Sequence, residues 1–329
     1  MFQYRGVGRG LQPRPQRRLP LGSNAARAAR NGLALQGARL ALLHHGAFDR
    51  GHGDVVAASG FSHGQTVSHR SHQALFPVGR IGTHIPRLYT IDACHCFSQV
   101  ALEALPHAIR TSEPTFPRVY GVGFWDYLAA HSEERAMVAS ALTADSPTRA
   151  AALLATCDFS GVGTVVDVGG GQGQLVASLL AAVPSLRGIL ADRPEVLAGA
   201  PEILRAAGAI DRCEVVAADF FVSAPAGGDT YVLSQIICDW PDEKALAILR
   251  VCHQAMAPGA RLWLLEMLVP PEDQIDSTYT LFDLTELTLL GGKARTADEH
   301  QALLETAGFT EVSVRPTEID WSVIEAIRP

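Results

Sequence analysis

A glycine-rich turn is the segment of this sequence best suited to bind a ligand. Residues 166–175 read VDVGGGQGQL, and glycine is favoured where the backbone must approach a ligand closely or adopt a positive φ. The dinucleotide fingerprint G-x-G-x-x-G, counted from Gly171, would require a glycine at position 176, where the chain has valine. The turn also lacks the Lys and Ser/Thr of a P-loop. The sequence therefore excludes both of these phosphate-binding motifs.

Two aspartates follow the next two predicted strands. Asp192 ends the second strand, 19 residues after Gly173, where its carboxylate would accept hydrogen bonds from a ribose diol. Asp219 ends the third strand, where a carboxylate would meet an adenine amino group. An aspartate at a strand end is more often the N-cap of a helix. Taken together with the glycine turn, however, the two acids predict a nucleoside ligand without phosphates.

These residues depend on a regular alternation of strands and helices for their positions. The apolar spacing predicts strands at 164–168, 188–191, 214–218, 231–237 and 261–268, separated by helices at 174–182, 195–207 and 242–256. A helical segment at 123–156 precedes them, and helices at 279–290 and 297–307 and strands at 311–315 and 322–327 follow. This order predicts an α/β fold with a doubly wound, mainly parallel sheet. Such sheets bind ligands at the carboxyl ends of their strands.

Composition excludes several classes of protein. The chain has 329 residues, of which 47% are hydrophobic and 19% charged, as in ordinary globular proteins. No run of 18 apolar residues occurs, so we expect no membrane span. The net charge of −7 argues against a nucleic-acid partner bound through overall charge. Six cysteines in so long a chain form no disulfide framework, and we expect a cytoplasmic location.

The first hundred residues differ in composition from the rest. They contain 12 Arg, 3 Asp and no Lys or Glu, whereas the later residues are strongly acidic. Three interpretations remain open: an organelle transit peptide, a basic nucleic-acid arm, or a stretch degraded or read in a displaced frame. The last accounts for the abundance of Arg, His and Gly together with the absence of Glu and Lys. We therefore predict that residues 1–100 are an unassigned region, poorly ordered and dispensable for the folding of 101–329.

Histidines are concentrated in the same region and raise the question of a metal site. His44, His45, His52, His63, His69 and His72 accompany the run Cys94-His95-Cys96. Their spacings match no structural zinc pattern. We expect no metal.

Several motifs of residues 101–329 resemble one known family. They include DFSGV at 158–162, ADRP at 191–194, ADFF at 218–221, DWPD at 239–242, GGK at 291–293 and SVIEA at 322–326. In this order they resemble the S-adenosylmethionine-dependent O-methyltransferases of the plant caffeate and bacterial polyketide type. The resemblance implies a class I methyltransferase fold, a helical substrate-pocket segment at 101–150 and a catalytic domain at 151–329.

The same resemblance assigns residues to S-adenosylmethionine. Gly169, Asp192, Asp219 and Phe220 match its cofactor-binding positions, and Trp240 would lie beside the adenine. Gly171 and Ser234 complete the predicted cofactor site, Gly171 from the glycine turn and Ser234 from within the fourth strand.

The residues that the family uses to remove a proton are only partly retained. Where family members with a general base have histidine before Asp-Trp, this chain has Cys238. Of the two supporting carboxylates, Glu266 is present and the other position is Ala294. Cys238 and Glu266 are therefore the candidate catalytic residues. A free thiol is a poor proton acceptor at neutral pH, so a small buried residue is the favoured interpretation of Cys238.

Two functions remain open. The first is O-methyl transfer to a small aromatic or polyketide-like secondary metabolite, mainly by proximity. The second is a non-catalytic or repurposed S-adenosylmethionine-binding protein. The family also implies a homodimer, although residues 1–100 contain no recognisable version of the family's dimerisation domain.

Overall fold

The described part of the chain is built around one seven-stranded sheet. The computed structural model describes residues 104–271, 274, 275 and 277–329. The strands are β1 (Thr164–Val168), β2 (Arg187–Asp192), β3 (Cys213–Ala217), β4 (Thr230–Ser234), β5 (Arg261–Glu266), β6 (Thr310–Pro316) and β7 (Ser322–Ile327). Their order is β3-β2-β1-β4-β5-β7-β6, in which the first five pair in parallel and β7 is antiparallel to both neighbours. The predicted doubly wound, mainly parallel sheet is confirmed.

Helices cover both faces of the sheet and precede it. In chain order they are α1 (Leu105–Thr111), α2 (Phe116–Tyr120), α3 (Phe124–Ala130), α4 (Ser132–Ala144), α5 (Ser146–Thr156), α6 (Gln174–Ala182), α7 (Ala200–Ala206), α8 (Asp242–Ala255), α9 (Ser277–Thr285) and α10 (Ala297–Ala307). The boundary predicted at residue 150 lies inside α5.

The core has two halves because successive strand residues point to opposite faces. Val165 of β1 packs in one cluster with α5, α6 and α7, and Val166 packs in the other with α8 and α10. Both side chains are fully buried. This explains why β1 has apolar residues on both faces, as expected for a central parallel strand.

A third, smaller cluster joins helices α2–α4 to the segment Glu286–Leu290, which follows α9. Phe116, Phe124, Leu128 and Val138 of α2–α4 pack against Leu289. The backbone N–H of Thr115 also donates to the carbonyl of Thr288 at 2.9 Å. The helical segment before the sheet is thereby fixed beside the segment that follows α9.

Four predicted elements are broken or end more than two residues from the expected position, whereas the strand predicted at 261–268 ends only two residues early, at Glu266. The helix at 195–207 is a 3₁₀ turn followed by α7, because Pro201 lies in its middle and removes a backbone donor. The region 123–156 forms three helices, with His131 in an extended conformation at the first break. The helix at 279–290 ends as α9 at Thr285 and continues as one π turn, Glu286–Leu290.

The fourth difference lies at the ligand-binding edge. The strand predicted at 231–237 ends at Ser234, and Gln235 adopts a φ of +57°. A 3₁₀ turn, Ile237–Asp239, follows. The strand was predicted too long because the side chains at 236–238 are apolar. They are indeed buried, but in a turn and not in a strand.

Two further sequence-based predictions concern residues 1–100 and membrane spans. The expectations for residues 1–100, including their histidines and two cysteines, lie outside the described residues. Within the described ranges, no helix is long and apolar enough to cross a membrane.

Candidate functional site

One cavity opens at the carboxyl ends of the parallel strands. It has a volume of about 550 Å³, within the usual range for small-molecule sites. It lies where the strand order reverses between β1 and β4, the position at which doubly wound sheets bind ligands. Its lining combines the sheet edge with the early helices α3 and α4 and with the π turn.

The glycine turn and Asp192 form one end of this cavity. Gly169 has a φ of +69°, and a Cβ there would lie 2.6 Å from Ile236 Cδ1, so only glycine fits without a shift. Asp192 Oδ2 accepts the Gly171 N–H at 2.8 Å, and its Oδ1 accepts the Arg193 N–H at 2.7 Å. Burial raises the pKa of this carboxyl. Because a carboxylate has about four acceptor sites, Asp192 retains capacity for two ligand hydroxyls.

Aromatic rings and Asp219 form the adjoining wall. Trp240 lies edge-on to Phe221, with ring centroids 4.8 Å apart, and 6.1 Å from Phe220. Asp219 Oδ1 accepts the N–H of Phe221 at 2.9 Å, which fixes the turn after β3. The Nε1 atom of Trp240 is buried and has no hydrogen-bond partner among the described residues. A flat heterocycle fits this aromatic wall.

A buried arginine holds the end of β4. Arg149 of α5 donates to Ser234 Oγ at 3.0 Å and to Gln235 Oε1 at 2.8 Å. Asp167 of β1 lies nearby and is almost wholly buried; burial raises its pKa to about 7, and the charge of Arg149 opposes that rise. Ser234 therefore reaches the cavity with its hydroxyl oxygen already hydrogen-bonded.

The turn that carries Cys238 is clamped by the segment 291–295. A Cβ on Gly292 would lie 2.0 Å from the Cys238 carbonyl oxygen, so only glycine can pass there. The Lys293 N–H donates to that carbonyl at 2.9 Å. Arg295 donates to the carbonyls of Ile237 and Trp240, each at 2.7 Å. These contacts fix the position of Cys238 at the cavity wall.

Acidic side chains gather beside this turn. The Sγ atom of Cys238 and a carboxyl oxygen from each of Asp239 and Glu286 all lie within 4.8 Å of one another. Burial first, and then the nearby carboxyls, raise the pKa of Glu286 and of the Cys238 thiol well above their usual values. Burial likewise raises the pKa of Glu266 to about 7. Burial also raises the pKa of Asp239, so all four groups favour their neutral forms more than they would in water.

Glu266 lies behind the cavity wall. It is fully buried at the end of β5, and its Oε1 accepts the Ile237 N–H at 2.9 Å. It is absent from the cavity lining, unlike Cys238. Its observed contact supports the turn that carries Cys238.

The predicted cofactor residues meet in this one cavity. Gly169, Gly171, Asp192, Asp219, Phe220, Ser234 and Trp240 all line it. The prediction missed Arg149, Asp167, Asp239 and Glu286, which line it as well. Two of them could have been found from the sequence, because each is an acid in a mostly apolar segment: Asp167 in TVVDV at 164–168 and Glu286 in ELTLL at 286–290. Charged residues are almost never fully buried unless paired.

The lining also fits a cationic nucleoside. Six of its ionisable side chains are acidic and three are basic: Asp126, Asp167, Asp192, Asp219, Asp239 and Glu286 against Arg149, Arg193 and Lys244. Burial favours the neutral forms of Asp167, Asp239 and Glu286, but the lining has no excess of basic groups that would oppose a positive ligand. Spare acceptor capacity on Asp192 suits a ribose, and the rings of Phe220 and Trp240 suit a base. The residues present therefore fit S-adenosylmethionine, which is a cation at its sulfonium.

Comparison with known proteins identifies related sequences and structures. The family described as O-methyltransferase domain matches residues 102–310. Phenazine O-methyltransferase PhzM of Lysobacter antibioticus is 39% identical over 220 residues, which are 67% of this chain and 64% of that protein. Aclacinomycin 10-hydroxylase RdmB of Streptomyces purpurascens is 35% identical over 238 residues, or 69% of this chain and 63% of that one.

A solved structure has the same fold. The O-methyltransferase NcsB1 from neocarzinostatin biosynthesis, in complex with S-adenosylmethionine and 2-hydroxy-5-methyl naphthoic acid, is 31% identical with a TM-score of 0.65. The similarity covers 74% of this chain and 72% of that one. The chain itself spans less than two thirds of the length of the phenazine enzyme.

Proposed function

Since this chain belongs to the O-methyltransferase domain family, we propose that it transfers a methyl group from S-adenosylmethionine to a hydroxyl of a small aromatic or polyketide-like metabolite. The observation that carries the proposal is a single cavity whose acidic glycine-turn end adjoins an aromatic wall. S-adenosylmethionine, when bound, supplies an electrophilic methyl group. The homodimer and the cytoplasmic location stay predictions.

The glycine-turn end of the cavity is assigned to the nucleoside. Asp192 would accept the two ribose hydroxyls with the lone pairs that the Gly171 and Arg193 N–H groups leave free. Phe220 and Trp240 would enclose the base, with Asp219 at its amino edge. Gly169 lets the backbone approach the ligand closely, and Gly171 and Ser234 complete the contact surface.

The other end of the cavity is assigned to the methyl acceptor. Phe124, Trp125, Leu142 and Leu289 line it, and a planar aromatic molecule can pack among them. Holding the acceptor oxygen in line with the methyl group can supply roughly 7–11 kcal/mol of the barrier. Alignment is therefore the main contribution that we assign to the protein. Glu266 is a positioning residue, since it holds the turn that forms the wall.

Cys238 does not act as the base in this proposal, because burial raises the pKa of its thiol. We expect Cys238→Ser to change kcat several-fold at most. Cys252→Ser, a buried thiol of α8 away from the cavity, is the matched control. A loss of about a thousand-fold in Cys238→Ser, equal for acidic and weakly acidic phenols, would instead identify a catalytic thiol.

Transfer itself is tested with methyl-labelled S-adenosylmethionine. The purified protein is incubated with a panel of naphthols and hydroxynaphthoic acids, and the products are analysed by mass spectrometry. We expect label on the phenolic oxygen of at least one acceptor. Absence of label in every product, with the cofactor bound, would contradict the proposal.

A second function has one specific observation in its favour. The relative RdmB is named a hydroxylase although it is 35% identical to this chain over 238 residues. A repurposed S-adenosylmethionine-binding protein would bind S-adenosylhomocysteine with the same residues and transfer no label. The transfer experiment therefore separates the two functions.

A further inference from the structure

We propose that Glu286 is a catalytic residue of this chain: its carboxylate takes the proton from the acceptor hydroxyl during methyl transfer. The inference rests on the proposed O-methyl transfer and concerns the step for which the chain lacks the usual histidine. Proton removal by Glu286 would extend the range of acceptors to weakly acidic phenols, which are not ionised at neutral pH and react slowly when they are only aligned with the methyl group.

The position of Glu286 is the first support. It begins the π turn that follows α9, and it lines the cavity beside Cys238. A π turn inside a helix is rare and frequently found at functional sites. Its neighbours Leu287 and Leu289 are buried apolar residues, and the hydroxyl of Thr288 donates to a backbone carbonyl, so Glu286 has the one ionisable side chain of the turn.

An unsatisfied oxygen is the second support. Glu286 is only 5% exposed, yet its Oε2 atom has no hydrogen-bond partner among the described residues. A buried acceptor without a partner is unfavourable. Because Glu286 lines the cavity, a small rotation of its side chain would bring this oxygen to a hydroxyl donor in the acceptor end, and the reacting hydroxyl is such a donor.

The charges around Glu286 make it a stronger base than an ordinary glutamate. Asp239, Glu266 and Asp283 all face it, and burial together with these carboxyls raises its pKa. Carboxyl oxygens of Asp239 and Glu286 lie within 4.8 Å of each other, so the pair disfavours two negative charges. The cation Arg295 donates to the carbonyl of Ile237 and to Asp242. A carboxyl group with a raised pKa binds a proton more tightly, which suits it to act as a general base.

The proton and the electrons balance in one step. The acceptor O–H bond breaks, and its proton passes to the singly ionised Asp239–Glu286 pair. The oxygen forms a bond to the methyl carbon while the carbon–sulfur bond breaks, and that electron pair stays on sulfur. The products are a methyl ether, a neutral thioether and a protonated carboxyl pair, which releases its proton to water when the ether leaves.

The experiment compares Glu286→Gln with wild type on two naphthols of different acidity. Glu286→Gln keeps the size of the side chain and removes its basicity, and Glu286→Asp keeps the basicity with a shorter reach. Glu133→Gln, an exposed acid of α4, is the matched control. Calorimetric binding of S-adenosylhomocysteine verifies that each variant is folded. The readout is kcat/KM against pH for 2-naphthol, which is weakly acidic, and for 4-nitro-1-naphthol, which ionises readily.

For 2-naphthol we expect Glu286→Gln to lower kcat/KM by about 10²–10⁴-fold. The increase in rate with pH, which reports ionisation of the carboxyl pair, should disappear, and Glu286→Asp should restore part of the rate. For 4-nitro-1-naphthol the change should be several-fold at most, because the acceptor is already ionised.

Other results overturn the inference. A loss equal for both naphthols would mean a structural role, and no loss for 2-naphthol would mean that another group takes the proton. Rates abolished by EDTA and restored by zinc would mean that the carboxyl groups hold a cation. In these three cases O-methyl transfer itself stands, whereas a wild-type protein that methylates neither naphthol would overturn both proposals together.

Discussion

Asp192→Ala is expected to weaken the binding of S-adenosylhomocysteine by at least about 100-fold. Two hydrogen bonds from ribose hydroxyls to a carboxylate are worth roughly 1.5–3 kcal/mol each, and each 1.4 kcal/mol is tenfold in affinity. The substitution also removes the acceptor of the Gly171 N–H, which is held at 2.8 Å. The glycine turn would then lose its support on one side. Isothermal titration calorimetry measures the effect.

Two controls separate ligand contact from general damage. Asp211→Ala replaces an exposed acid in the 3₁₀ turn before β3, away from the cavity, and should leave the affinity unchanged. Burial raises the pKa of Asp192. As the pH falls, its carboxylate is therefore protonated, and the wild-type affinity declines, at a higher pH than an aspartate with an ordinary pKa would give. Unchanged affinity in Asp192→Ala would refute the assignment of this residue to the ribose.

Arg295→Met is expected to lower the free energy of unfolding by about 2–6 kcal/mol, because it leaves two carbonyls of the turn without their donor at roughly 1–3 kcal/mol each. Arg295 is 1% exposed and donates to Asp242 Oδ1 at 2.9 Å besides the two turn carbonyls. Without it, the carbonyls of Ile237 and Trp240 lose their donor. Asp242 is one third exposed and keeps Lys293 at 3.2 Å, so its share of the loss is small. Urea unfolding followed by circular dichroism measures the change.

The matched comparison is a more exposed arginine. Arg315 pairs with Glu325 at 2.7 Å, and its side chain is 36% exposed, whereas that of Arg295 is fully buried. Arg315→Met should cost less than about 1 kcal/mol, as surface ion pairs do. Arg295→Lys should lose most of the contribution that Arg295 makes to the free energy of unfolding. An ammonium group cannot donate to two carbonyls and a carboxylate at once, as the planar guanidinium does. Equal effects at both arginines would contradict this account of the turn.

Local sequence patterns were sufficient to predict most of the fold. The strand at 164–168 and the helices at 174–182 and 297–307 have the predicted bounds, since their apolar spacing and their end residues agree with each other. In α10 the cap is visible in the sequence, because Thr296 accepts the Glu299 N–H and Glu299 accepts the Thr296 N–H. The mainly parallel sheet followed from this alternation.

The parts that were missed depend on contacts between distant residues. The strand predicted at 231–237 ends early because Arg149, 86 residues away, holds Gln235 in a left-handed conformation that its sequence does not reveal. The carboxyl pair was missed for the same reason. Asp239 and Glu286 approach each other only after the π turn has formed. Their meeting depends on packing, which no spacing along the chain records.

The central claim is that one cavity holds the methyl donor and the methyl acceptor together. A crystal structure of the protein with S-adenosylhomocysteine and 2-naphthol tests it most directly. We predict the ribose on Asp192, the base beside Trp240, and the naphthol hydroxyl between the sulfur atom and Glu286. A structure in which the naphthol binds elsewhere, or in which the nucleoside does not contact Asp192, would contradict the claim.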